Sequence, residues 1–284
     1  FIGSHLVDEL VARGRQVAGL DDLSTGRRDN LARHADRITF IEGGVEDPEV
    51  CRRACDGVSE IFHLASRVSV VESVASPALY REVVLGGTRN MLRAATAAGA
   101  RRLVLASSCS VYGDATPPIS EAARLDPQSP YAAMKAEAEQ ACREAEISTV
   151  CPRFFNVYGP RQRADSPYSG VIAIFARMAA DSTGPTVFGD GLQTRDFIHV
   201  SDVVRGLRLA VESPDVGRGE AINFGTGIDT TILELASLLG CPGPRFAPAR
   251  DGEVRHSAAN PARARELLEF EACVGLQSGL ATLD

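Results

Sequence analysis

Tyr131 and Lys135 stand four apart in Ser129-Pro130-Tyr131-Ala132-Ala133-Met134-Lys135. Pro130 suits the first turn of a helix, so both side chains project from one face. A free phenol ionises at about pH 10, too high for a base at neutral pH. A neighbouring ammonium stabilises the phenolate and is expected to bring Tyr131 towards the working range. The pattern gains weight from Ser107-Ser108-Cys109-Ser110-Val111-Tyr112-Gly113, a hydroxyl cluster following the apolar run Leu103 to Ala106. Open parallel sheets place their sites at the C-terminal ends of such strands.

The elements that must hold this pair follow from hydrophobic periodicity. Short apolar or β-rich runs at Gln16 to Leu20, Ile38 to Ile41, Glu60 to Leu64, Leu103 to Ala106 and Thr149 to Arg153 read as strands. Helical stretches around 48–56, 75–98 and 130–146 separate them, which predicts a doubly wound parallel α/β sheet of Rossmann type. Leu6, Val7, Leu10 and Val11 form the apolar face of an opening helix that stops near Gly14. A parallel sheet calls for a strand feeding that first helix, and the 284 residues do not include it. After Arg153 the alternation gives way to a Pro/Gly/Ser-bearing stretch, Tyr158 to Gly170. A helix at 171–180, short strands near 186–188, 195–200 and 220–224, and a helical tail from Asn260 to Leu268 are expected beyond it, forming a smaller interleaved lobe.

Composition narrows the function. Thirty Lys+Arg against thirty-seven Asp+Glu give a net charge of −7, and no basic run offers an electrostatic grip on nucleic acid or an anionic membrane. The apolar runs are too short to span a bilayer, and a cytoplasmic protein is expected. Seven cysteines form no disulfide framework and are read as reduced and structural. His5, His34, His63, His199 and His256 lack a second ligand at helical spacing, so no metal is expected.

At the other end, Phe1-Ile2-Gly3-Ser4-His5-Leu6 looks like the close of a glycine-rich dinucleotide loop, with Gly3 allowing close helix packing and a helix N-terminus facing a pyrophosphate. Asp21, just after the strand-like run Gln16 to Leu20, stands where a carboxylate accepts hydrogen bonds from an adenosine ribose and repels a 2′-phosphate, favouring NAD over NADP. Asp21 and Asp22 could equally open a turn.

Taken in order, these motifs resemble the extended short-chain dehydrogenase/reductase family, specifically its NAD-dependent sugar-nucleotide epimerases and dehydratases. The resemblance runs from Phe1 to about Leu268 and includes His63-Leu64-Ala65, Arg153-Phe154-Phe155-Asn156-Val157-Tyr158-Gly159-Pro160 and Arg195-Asp196-Phe197-Ile198-His199-Val200. It implies NAD held by Phe1, Ile2, Gly3, Asp21, Asp22, Ser24, Thr25, Gly26, Val45, Leu64, Ala65, Ser66 and Phe154, together with Tyr131 and Lys135. Tyr131 would carry the proton, Lys135 would be its electrostatic partner, and Ser108, with Ser110 beside it, would hold the reacting sugar oxygen. Asn156, Arg195 and Arg250 would clamp the substrate diphosphate. It implies an NAD-binding domain of residues 1–157 plus about 195–227, and a sugar-nucleotide lobe of 158–194 and 228–284. A homodimer through the helices near 75–98 and 130–146 is implied as well. Two positions depart from the pattern: Val84 stands where Asn is usual and Gly44 where Asp is usual, which removes a polar group near the nicotinamide and a contact to adenine.

The same resemblance bears on the reaction. A 4,6-dehydratase needs an adjacent Asp-Glu pair, and Cys109 and Ser110 occupy those positions; the UDP-xylose-forming decarboxylases carry Glu where Ser110 stands. The reading is therefore a UDP-hexose 4-epimerase, most similar in its Asp165 to Ile172 stretch, working through a transient 4-keto sugar on UDP-glucose and UDP-galactose. Ser257, small at a position that gates the sugar pocket, would admit N-acetylated sugars too. Dehydratase, decarboxylase, reductase and a catalytically impaired nucleotide-binding protein are the alternatives.

Overall fold

In a computed structural model, residues 1–165, 170–249 and 254–283 are described. Helix α1 (Ile2–Ala12) buries Leu6, Val7 and Val11, and Gly14 follows it with a left-handed φ of +73°. Strands β1 (Val17–Asp21) and β2 (Ile38–Glu42) pair in parallel. Helix α2 (Pro48–Cys55) begins where Asp47 accepts the Glu49 and Val50 amides, with Pro48 in the first turn. Strand β3 (Glu60–His63) leads to α3 (Val70–Ala75), α4 (Pro77–Tyr80), a π-helical turn (Arg81–Gly86) and α5 (Gly87–Ala97). The single helix expected over 75–98 is thus divided: Ser76 leaves helical geometry before Pro77, and the widened turn ends at the Gly86-Gly87 pair. Gly87 has a packing reason, since a Cβ there would collide with the Val45 side chain.

Strand β4 (Arg102–Leu105), the two-residue β5 (Ser107–Ser108), α6 (Pro130–Arg143) and β6 (Ser148–Phe154) follow. Then come β7 (Asn156–Tyr158), α7 (Val171–Ala180), β8 (Thr186–Phe188), β9 (Thr194–His199), α8 (Val200–Glu212) and β10 (Arg218–Phe224). The described chain closes with β11 (Asp229–Thr231), α9 (Ile232–Leu238), β12 (Arg245–Ala247), β13 (His256–Ser257), α10 (Ala262–Leu268) and α11 (Leu276–Leu280). Strands β3, β4 and β6 run parallel, with Glu60 opposite Arg102 and Arg102 opposite Ser148, and β10 extends the order on the far side of β6. Helix α8 was not anticipated from the sequence, although its inward residues Val200, Val203, Val204, Leu207, Ala210 and Val211 follow a helical period.

The chain divides into two compact units: residues 1–111, 127–153 and 204–222, and residues 112–126, 154–203 and 223–284. The first has a core of Ile61, Met91, Leu92, Leu103, Leu105 and Ala138, into which Cys51, Cys55, Cys142 and Cys151 are also packed. The second gathers Ile172, Phe175, Val187, Phe197, Ile232 and Leu235. Residues 154–157, 195–203 and 223–227, expected in the first, lie in the second, where β9 is hydrogen-bonded to β7, β11 and β13. Residues 112–126 join it through Tyr112 Oη, which donates to Asn223 Oδ1 at 2.6 Å, and through the Ile119 amide on the Ala258 carbonyl at 2.8 Å. Among the described residues no helix is long and apolar enough to cross a membrane.

Arg102 ties the first unit together. Its buried guanidinium donates to the carbonyls of Ala210, Ser213 and Val216 at 3.1, 2.6 and 2.6 Å, closing the C-terminal end of α8, and Nε reaches Ser148 Oγ at 2.8 Å. Replacing Arg102→Met leaves those carbonyls without donors. The loss should lower the unfolding free energy by about 2–4 kcal/mol, read from the urea midpoint; an unchanged midpoint would show that water replaces the guanidinium at no cost.

Candidate active site

Helix α6 starts abruptly. Ser129 Oγ accepts the Ala132 amide at 3.2 Å and Pro130 occupies the first turn, which fixes Tyr131 one residue inside the helix. Lys135, one turn on, is 4% exposed and donates from Nζ to the Ala106 carbonyl at 2.7 Å. Tyr131, 7% exposed, is hydrogen-bonded to the Ser108 side chain, whose Oγ also accepts the Ser110 amide at 3.2 Å. The structure therefore brings Tyr131, Lys135, Ser108 and Ser110 together just beyond β4. Ser110 Oγ is buried and has no hydrogen-bond partner among the described residues, a polar atom that a ligand hydroxyl could satisfy. Cys109 lies between these serines, half-buried, so its surroundings are those of the site and not of the core.

The electrostatics differ from the expectation for Tyr131. Burial pushes its phenol up to about 12, opposed by the hydrogen bond from Ser108, and the nearby Cys109 adds to the rise. The Lys135 ammonium lies 5.9 Å from the centre of the Tyr131 ring and is engaged by the Ala106 carbonyl, so it does not offset that burial. Lys135 itself is pushed down to about 8 by burial, against the attraction of Glu139. His63, on β3, is held down at about 3 by burial and by the Lys135 charge, so its ring is neutral; Nε2 lies 3.2 Å from Thr88 Oγ1.

Sequence reasoning passed over one signal. The 284 residues hold thirty Lys+Arg, of which Lys135 is the single lysine and the other twenty-nine are arginine. Arginine is permanently charged, whereas lysine shifts its ionisation readily when buried. The lone exception to an otherwise all-arginine composition coincides with the most enclosed cation of the site.

Several residues expected at the cofactor lie around neighbouring strand ends. Phe1 stands at the N-cap of α1 without a side-chain cap bond, ahead of Ile2 and Gly3. A Cβ at Gly3 would make ordinary contact with Leu64 Cδ1 at 3.8 Å, so close packing does not require glycine there. Asp21 ends β1 and accepts the Leu23 amide at 2.7 Å; Asp22 accepts the amide and hydroxyl of Ser24 at 3.0 and 2.7 Å, and Thr25 follows in the same loop. At Gly26 a Cβ would come within 2.6 Å of Asp21 Oδ1, so only glycine leaves the carboxylate room. Leu64, Ala65 and Ser66 follow β3, and Ser66 Oγ donates to the Arg67 carbonyl at 3.0 Å. The side chain of Val45 is buried in the core, while Val84 and Leu85 of the π-helical turn pack with Tyr80, Tyr131 and Met134.

In the second unit, Asn156 on β7 donates from Nδ2 to the Asp196 carbonyl at 3.1 Å. Arg195 stands opposite Ser257 in the parallel β9–β13 register, and its Nη1 donates to the Thr194 carbonyl at 2.8 Å. Ser257 is buried. Phe154 closes β6 with its ring 5.8 Å from that of Phe224. Arg250 lies outside the described residues. The element arranging this side of the chain is Asp196, which the sequence reading used only as part of a motif. It is fully buried, accepts the amides of Thr226, Gly227 and Ala259 at 2.8, 2.9 and 3.0 Å, and is raised by burial against those bonds.

Residues 1–225 match the sequence profile of the NAD dependent epimerase/dehydratase family. The chain belongs to this family. It is 40% identical to UDP-glucose 4-epimerase of Mycolicibacterium smegmatis over 99% of its own length and 93% of that protein. A UDP-N-acetyl-alpha-D-glucosaminuronate decarboxylase of Bacillus cytotoxicus is 31% identical over 99% of the chain and 92% of the relative. Among solved structures, UDP-glucose 4-epimerase of Thermotoga maritima with UDP-glucose superposes with a TM-score of 0.92 at 35% identity, covering 99% of this chain and 93% of that one.

As a member of the epimerase/dehydratase family the chain is an NAD-dependent enzyme of sugar nucleotides. Its own residues fit that cofactor. The start of α1 has no side-chain cap to compete with a pyrophosphate, Asp21 presents a carboxylate kept clear by Gly26, and an orphaned Ser110 hydroxyl lies next to Ser108. Among the described residues no group of three or more His, Cys, Asp or Glu is placed to hold a metal.

Two measurements follow from this geometry. Gly26→Ala drives a methyl into the Asp21 carboxylate and should weaken NAD binding about tenfold or more by calorimetry, the equivalent of one lost charge-assisted hydrogen bond; an unaltered Kd would remove Asp21 from the cofactor site. Lys135 titrates at about 8 in the folded protein and at about 10.5 when free, so the unfolded chain binds the extra proton between those values. Stability from this group is accordingly lowest below pH 8 and rises towards pH 10.5. Wild type should gain on Lys135→Met between pH 8 and pH 10 in urea unfolding, and a constant difference would mean that the ammonium is not buried.

Proposed function

We propose that the chain catalyses the NAD-dependent 4-epimerisation of a UDP-hexose, interconverting UDP-glucose and UDP-galactose through a transient 4-keto sugar. The observation that carries this reading is the chemistry beside Ser108. Cys109 and Ser110 follow it, and neither supplies the acid and base that elimination of water needs. The buried carboxylate of the helix, Glu139, is taken up by Arg153, Nη2 to Oε2 at 2.6 Å, and is not free to act as an acid. A hydroxyl, a phenol and an ammonium remain, which suffice for oxidation and reduction at one carbon without loss of water or carbon dioxide.

In this reading Ser108 Oγ holds the sugar C4 oxygen and Tyr131 Oη takes its proton, returning it after the sugar has turned. Lys135 stays charged below about pH 8 and favours the anionic form of whichever oxygen faces it. Ser110 Oγ gives the sugar a second polar contact. NAD, when bound, would supply a reversible acceptor for the C4 hydrogen, while burial keeps the Tyr131 phenol neutral. Asn156 and Arg195 are suited to the diphosphate and Ser257, small and buried, to a pocket wide enough for an N-acetyl group. Seven free thiols accord with a cytoplasmic enzyme, and the exposed Val68, Val71 and Val74, on α3 and just before it, offer an apolar face for a homodimer.

Proton NMR of UDP-glucose with the full-length protein in D₂O, no cofactor added, tests the reaction. UDP-galactose should appear without deuterium at C4, and Tyr131→Phe should lower kcat by about a thousandfold. Exchange at C5 with a persistent 4-keto product would make the enzyme a dehydratase instead.

A further inference from the structure

Tyr131, Lys135 and Glu139 recur every fourth residue along one face of α6. Ala106, Ser107 and Ser108 run along the facing segment, and each is tied to one of the three. Lys135 Nζ donates to the Ala106 carbonyl at 2.7 Å, Ser107 Oγ donates to Glu139 Oε1 at 2.5 Å, and the Ser108 and Tyr131 side chains are hydrogen-bonded. The reacting groups are thus two rungs of a three-rung ladder whose third rung is a carboxylate with no exposed surface.

A buried carboxylate is expensive, and an apolar residue of similar volume is often as stable or more so. Arg153 on β6, 3% exposed, neutralises this one with two bonds, Nε to Oε1 at 2.9 Å and Nη2 to Oε2 at 2.6 Å, and Arg143 stands 3.7 Å away on the next turn. These arginines place two positive charges against a carboxylate that has no exposed surface. One turn earlier on the same helix stands Lys135, whose ammonium this carboxylate favours. The other titratable groups acting on that ammonium are Cys142 on its own helix, Cys151 from β6, a thiol pushed well up by its hydrogen bond to Cys142 and by burial, and His63 from β3, which is neutral; Tyr131 is a neutral phenol.

We propose that Glu139 is a positioning residue for the reaction centre, bracing Ser107 so that Ser108 meets Tyr131, and keeping a compensating negative charge one turn below the Lys135 ammonium. The proposal rests on the reading of Tyr131, Lys135 and Ser108 as the reacting set, but its test does not depend on the substrate.

Because Lys135 is the single lysine, protein labelled with ¹³C at lysine Cε gives one lysine signal, and its titration reads this ammonium directly in the NAD-loaded enzyme. Glu139→Gln should move the midpoint down by about one pH unit or more. It should also cut kcat about tenfold at pH 8 with KM altered less than about threefold, since the groups that hold the substrate are untouched. Glu139→Gln strands the Arg153 charge and could fail to fold, so the double variant Glu139→Leu/Arg153→Leu, which removes both charges, serves as the second arm. It should fold and show the same downward shift. A midpoint within about 0.3 units of wild type in either folded variant overturns the proposal and leaves Glu139 as a core ion pair. A shifted midpoint in a protein whose wild type does not epimerise UDP-glucose supports the role of Glu139 and removes the epimerase reading.

Discussion

An ammonium with 4% of its surface exposed has to be solvated by protein, and the first unit is arranged around that requirement at Lys135. Its proton is shared with the Ala106 carbonyl, which places the end of β4 against α6 and sets the height of the serines that follow. The same charge, with burial, keeps the His63 ring neutral, so its contact with Thr88 Oγ1 is that of an uncharged group. Thr88 Oγ1 in turn donates to the Val84 carbonyl at 2.6 Å, inside the π-helical turn that packs on Tyr131. One desolvated cation is thereby connected to the strand, the turn and the phenol around it.

The second unit solves a related problem with the opposite sign. Asp196 is an anion with no exposed surface, and backbone amides from Thr226, Gly227 and Ala259 satisfy it in place of an arginine. Arg195, its neighbour on β9, points its side chain to the other face of the strand. Asp202 repeats the device, accepting the amides of Cys273 and Val274 at 3.0 and 2.9 Å and so pinning the segment before α11.

Much of this was legible in the residues. Strands β4 and β6 were recognisable because they are buried on both faces and read as short apolar or β-rich runs, and α6 because Ser129 and Pro130 announce its start. The Tyr131–Lys135 pair was visible for the same reason, being a local spacing. Helix α8 escaped because it follows β9 without a break or a capping residue, so Val200 was absorbed into the strand although the helical period continues to Val211. The ionisation of Tyr131 was misjudged because burial of the phenol cannot be read from a spacing of four. Glu139 was invisible for a different reason: its partners lie 32 residues before it and 14 after, and only the fold makes them neighbours.

The lone lysine also sets the chemistry of the protein's surface. The single lysine of these 284 residues is buried, so the surface offers no ε-amine to acetyl donors, aldehydes or amine-directed cross-linkers. The one ε-amine that exists is enclosed and reacts only when the site opens. Labelling by such reagents would therefore register the opening of the reaction centre rather than the accessibility of the surface.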